Sequence, residues 1–132
     1  MTTIWADTNV LVRFLMGEPA TLAMRSRRLF QRAAQGEFSI RVANIVVAEV
    51  VWVLRSAYAA DAAAVADAIR ALVLADGIVV DDEDIVLSAL RLMEKTTVDY
   101  ADAFIAATAS SRGEAVASFD ADFKRLGIET VG

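Results

Sequence analysis

The period of the apolar positions changes several times along the chain, and each change marks an element. Residues 3–6 form a short apolar run that predicts a strand, and a helix follows over about 9–16. Pro19 suits the start of a second helix running to about residue 35, with Gly36 as its stop. Residues 38–42 alternate as a strand does. Residues 45–58 and 62–75 predict two helices, the second with Asp61 as N-cap. Residues 78–80 predict a strand, 82–95 a helix, and 99–112 a helix ended by Gly113. Two further strands, 115–118 and 128–131, flank a short helix near 121–126. Short apolar strands alternating with helices predict an α/β fold with a parallel sheet covered on both faces. Ligands of such sheets lie beyond the carboxyl ends of the strands. No linker, repeat or low-complexity stretch divides residues 1–132, so a single domain is expected.

Composition then narrows the chemistry. The 132 residues include no histidine and no cysteine. That excludes a disulfide framework, a thiol nucleophile, a zinc finger and a histidine acid–base catalyst. Any metal should be hard and oxygen-seeking, such as Mg²⁺ or Mn²⁺. The chain is 57% hydrophobic, a core-rich composition. The N-terminus lacks a secretory pattern and no apolar run is long enough for a bilayer, so a cytoplasmic protein without a membrane partner is expected.

Several carboxylates stand at informative places. Asp7 follows the strand Ile4-Trp5-Ala6 and precedes Thr8-Asn9, the carboxyl end of an expected parallel strand, although helix capping alone also explains it. Glu49 is the one ionisable residue between Asn44 and Leu54. Ile45, Val46, Trp52 and Val53 fall near it on the helical wheel, and every face there is apolar. A buried partner is therefore expected in preference to exposure. Asp99 and Asp102 share one face of a first helical turn, where Asp99 also makes a good N-cap. Ser118-Phe119-Asp120-Ala121-Asp122 repeats the Asp7 arrangement, and either acid could cap the helix that follows. The run from Asp81 to Asp84 reads as a solvated helix opening with no chemistry. Acids gathered in one place repel one another, so a divalent cation is the economical partner.

Asp7-Thr8-Asn9, Glu49 in its apolar helix, the stretch from Asp99 to Ala107, and Ser118 to Phe123 together resemble the PIN domain. Their order and spacing are similar to the VapC-type toxins of toxin–antitoxin pairs. The resemblance covers essentially the whole chain and implies a three-layer α/β/α sandwich with a central, mainly parallel sheet. It implies that Asp7, Glu49 and Asp102 hold Mg²⁺ or Mn²⁺, with Asp120 the better match for a fourth acid and Asp122 a candidate. Asp99 then fits an accessory acidic position, while Thr8, Asn9 and Ser118 orient ligands. The implied activity is an endoribonuclease in which water activated by the ion attacks the phosphorus in line. The implied partners are RNA, a cognate VapB-like antitoxin and a second copy of the chain.

Charge bears on the RNA partner. The net charge of −5 is unevenly spread. Residues 1–60 carry 7 basic and 4 acidic side chains, whereas residues 61–132 carry 6 and 14. Arg13, Arg25 and Arg28 are candidate phosphate contacts, against the alternative that Arg25–Arg32 decorate a solvated helix. Two other readings compete. A Mg²⁺-dependent receiver-like domain needs a lysine directly after a late strand, and neither Lys95 nor Lys124 stands there. A PIN-like interaction module with a weakened site would bind partners without cleaving RNA.

Overall fold

The computed structural model describes residues 2–132. Its secondary structure alternates as the apolar pattern predicts: β1 (Thr3–Trp5), α1 (Thr8–Met16), α2 (Ala20–Ala34), β2 (Ser39–Val42), α3 (Asn44–Ser56), α4 (Ala62–Val73) and β3 (Ile78–Val80) come first. They are followed by α5 (Glu83–Lys95), α6 (Tyr100–Arg112), β4 (Val116–Ala117), α7 (Asp122–Arg125) and β5 (Thr130–Val131). The chain divides into two compact units, one ending at Asp81 and one beginning at Asp82.

In the first unit the strands run in the order β1-β2-β3, all parallel, with Ile4 opposite Ile40 and Ile40 opposite Ile78. Parallel neighbours need crossovers, and the helix pairs α1–α2 and α3–α4 supply them. Local chemistry sets the helix ends. The Asp61 carboxylate accepts from the Ala64 N–H at 2.8 Å, satisfying one of the donors that a helix start leaves unpaired. Leu11, Ile40, Val42, Val47, Val50, Val65 and Ile69 are all fully buried. On α3 the buried set is Val47, Val50, Val51 and Leu54, the spacing of one helical stripe. Gly77, ahead of β3, adopts φ +81°, and a Cβ there would collide with the Ala33 backbone of α2. Glycine is required at that turn.

In the second unit α5 packs against α6, whose Ala103, Ala106 and Ala107 are buried. Those small residues permit close approach of the two helices. β4 and β5 form a two-stranded parallel ladder, with Val116 opposite Thr130. Val116, Phe123, Ala106 and Ala109 form a small core beneath it, joined by Leu92, Leu126 and Ile128.

Three local expectations need correction. Asp82 lies outside α5, in a left-handed conformation with φ 49°. The acidic run that includes it is not simply solvated, because Asp81 Oδ1 accepts from Arg41 Nε at 2.6 Å. The guanidinium of Arg41 also stands over the ring of its register partner Trp5, 5.5 Å from the centroid, so Trp5 and Asp81 share one cation. Finally, neither Asp120 nor Asp122 is the N-cap of α7; Ala121 occupies that position with no side-chain hydrogen bond.

Candidate metal centre

Acidic groups with defined partners occur in each unit. In the first, Asp7 sits beyond the carboxyl end of β1 and caps α1. Its Oδ1 accepts from the Asn9 N–H at 2.7 Å, which fixes the carboxylate against the start of the helix. The next residue, Thr8, donates from its hydroxyl to Glu49 Oε2 at 2.8 Å. α1 packs on α3, and that packing delivers Glu49 to Thr8. The expected burial of Glu49 is overturned, since the side chain is exposed. The reason lies in how α3 packs. One stripe of valines and Leu54 faces the core, leaving Ile45 and Trp52, the wheel neighbours of Glu49, 68% and 70% exposed. An all-apolar sequence conceals which face of a helix is turned outward.

The second unit gathers three carboxylates. One oxygen from each of Asp102, Asp120 and Asp122 lies within 4.8 Å of the others. α6 presents Asp102 in its first turn, half-buried. Asp99 caps the same helix, accepting from the Asp102 N–H at 3.0 Å. The loop after β4 presents the other two through a chain of short-range bonds. Ser118 Oγ accepts from the Asp120 N–H at 2.9 Å, and Asp120 Oδ1 accepts from the Asp122 N–H at 2.9 Å. These are the Asx and hydroxyl turns that Ser and Asp make readily. The Asp122 carboxylate also pairs with Arg125, so part of its charge is already compensated.

Electrostatics single out Asp102. Partial burial raises its pKa above the ordinary carboxylate value, and the charges of Asp99, Asp120 and Asp122 raise it further. Protonation or a cation relieves such a cluster. Burial also pushes the Tyr100 phenol upward, and its buried hydroxyl has no hydrogen-bond partner. No local pattern signals this, because a tyrosine beside an N-cap acid is unremarkable. Asp122, a candidate beside Asp120 by the resemblance, lies with Asp120 and Asp102 in the structure.

The remaining candidates fall in the first unit. Arg13 is half-buried, and its Nη1 reaches the Glu18 carbonyl and the Tyr58 hydroxyl, each at 3.4 Å. Asn9 and Arg25 line a hollow between α1 and α2, and Arg28 lines a second hollow on α2.

Comparison with known proteins supplies the frame for these groups. The PIN domain matches residues 4–129. The chain belongs to the PIN domain family. The match runs through both units. No curated protein matches the chain. PIN domains are generally nucleases, hydrolases that act on RNA or DNA and typically use divalent metals. The acids present suit such an ion, since the converging donors of Asp102, Asp120 and Asp122 are all hard carboxylate oxygens. Among the described residues no helix is long and apolar enough to cross a membrane.

Proposed function

We propose that this PIN domain is a Mg²⁺- or Mn²⁺-dependent endoribonuclease acting as the VapC-type toxin of a toxin–antitoxin pair, arresting translation and growth until a VapB-like antitoxin restrains it. Asp7, Glu49, Asp102 and Asp120 are the acids assigned to the metal and to catalysis, with residues 1–132 working as one functional domain in the cytoplasm, as a homodimer. The observation that carries the reading is the convergence of the Asp102, Asp120 and Asp122 carboxylates in a chain of this family. Without a cation, holding those three charges together is unfavourable: burial first, and then the neighbouring carboxylates, raise the pKa of Asp102.

When bound, the ion supplies Lewis-acid activation of water and compensates charge on the leaving oxygen. The chain's own side chains do the rest. Asp7, Glu49, Asp102 and Asp120 would hold the ion. Ser118 and the Asp122 N–H fix the Asp120 loop, and Thr8 holds the Glu49 carboxylate in one orientation. Asn9 fixes Asp7 through its backbone N–H. Asp99 adds negative charge beside Asp102 and so favours cation binding. Asp122, paired with Arg125, serves as an accessory acid. Histidine is not required by this chemistry, in keeping with its absence.

The test is cleavage of cellular RNA by the purified chain with Mg²⁺ or Mn²⁺, beside Asp7→Asn and Asp102→Asn variants and an EDTA control. Metal-dependent cleavage lost in both variants is expected. Equal cleavage by all three proteins assigns the activity to a contaminant and refutes the proposal. For the toxin role, expression of the chain alone should arrest growth, and co-expression of an adjacent antitoxin gene should relieve it. Normal growth in the presence of active enzyme contradicts that part.

A further inference from the structure

We propose that the groove between α1 and α2 in the first unit is the track that holds the RNA strand by its phosphates. This rests on the nuclease reading above and assigns the surface that carries the substrate. Two adjoining hollows make the groove, of about 230 and 260 Å³. The first lies between the helices, with Asn9, Arg13, Arg25 and Ser26 among its lining residues. The second is lined by Arg25, Arg28, Leu29 and Arg32, and Arg25 and Leu29 belong to both. One end therefore begins at Asn9, whose backbone N–H holds the Asp7 carboxylate. The other ends at Arg32.

The arginines are arranged for a repeating anion. Arg25, Arg28 and Arg32 fall within about 60° of one another on the helical wheel and span about 10 Å along the axis. α2 has 15 residues and not one acid. A merely solvated helix would normally mix its signs, since like charges at these spacings are unfavourable by a few tenths of a kcal/mol per pair. Arg32 is anchored, donating to Glu37 at 2.9 Å and lying 5.0 Å from the Phe38 ring centroid. Arg25 and Arg28 have no carboxylate partner among the described residues, and Arg28 reaches only the Met24 sulfur at 3.6 Å. Two unpaired guanidiniums flanked by one fixed guanidinium present planar donors suited to successive phosphates. Contacts of this kind go to phosphates, which position a strand without carrying sequence information, so the track is proposed to hold RNA whatever its sequence.

The experiment uses the full chain carrying Asp7→Asn to measure binding of a labelled single-stranded RNA over a range of KCl, with and without Arg25→Gln, Arg28→Gln and Arg32→Gln together. The slope of log affinity against log salt is expected to fall by about 0.7 for each phosphate no longer neutralised, about 2 for the triple variant. In the otherwise active chain the same triple change should raise KM for a long RNA by tenfold or more, with a smaller effect on kcat and a defect that shrinks as the substrate shortens. Replacing the three by lysine should restore much of the salt slope, which separates charge from folding; melting curves check the fold directly. An active enzyme whose slope and KM are unmoved by the triple glutamine change overturns the groove while leaving the nuclease reading intact. A chain that neither binds nor cleaves any RNA overturns both. If polyglutamate competes for the groove more strongly than RNA, the surface belongs to an acidic protein segment and the proposal fails.

Discussion

The Thr8 hydroxyl donates to Glu49 Oε2 at 2.8 Å, so the residue that follows Asp7 on the chain holds a carboxylate 41 positions further on. That bond ties the start of α1 to α3 and makes two of the proposed metal ligands mechanically dependent. Thr8→Val keeps the shape and removes the donor. The metal concentration needed for half-maximal cleavage should rise about tenfold or more, the usual scale for partners that orient ligands. Because the bond is exposed, the melting temperature should hardly move. Metal titration of activity and a thermal melt check both; unchanged metal dependence would show that Glu49 needs no such support.

Asp102 gives a pH prediction whose sign follows from its environment. Burial, then the charges of Asp99, Asp120 and Asp122, raises its pKa in the folded chain. The folded state therefore holds its proton to higher pH than the unfolded state does. Without metal, stability should fall as pH rises through the carboxylate range, from below the ordinary value to above the raised one. Asp102→Asn should flatten that fall and raise the metal-free melting temperature at neutral pH, even as it abolishes cleavage. Melts from pH 3 to 8 in EDTA test it, and a variant less stable than the wild type at neutral pH would contradict it.

Adding the ion should do what protonation does, by a different route. A ligand that binds only the folded chain stabilises it by about 2.7 kcal/mol at a concentration of 100 Kd. Mg²⁺ or Mn²⁺ should thus raise the melting temperature of the wild type, and a double Asp102→Asn, Asp120→Asn variant should respond far less. A chain whose melting is indifferent to millimolar Mg²⁺ or Mn²⁺, and whose cleavage is unaffected by EDTA, would remove the metal from the account.

Gly77 offers a test of the fold apart from the chemistry. Its backbone is left-handed at φ +81°, and a methyl group there would meet the carbonyl of Ala33. Gly77→Ala combines conformational strain with a collision against backbone that cannot step aside. A loss of about 2 kcal/mol or more is expected, read as a lower denaturation midpoint at unchanged m-value. Gly113→Ala shares the positive φ, 63°, with open space around the new methyl, and should be milder, at about 1 kcal/mol.

What the sequence determined alone is what short-range chemistry decides. Asp61 and Asp99 cap helices as acceptors for donors three residues further on, and Gly113 ends α6 in the left-handed conformation a glycine permits. The alternation of strand and helix was legible because apolar spacing and end signals lie within one window of chain. The order of the acids along that chain was enough to suggest the family. Tertiary structure decided the rest. The exposure of Glu49 was not legible, because an all-apolar helix carries no mark of its outward face; the packing of Val47, Val50, Val51 and Leu54 chose it. Asp102 meets Asp120 and Asp122 only because the β4–β5 ladder and the core around Phe123 bring a loop to the start of α6. Periodicity records which residues want burial, but charges well separated along the chain meet only when packing closes the loop between them, and no local pattern specifies that distance.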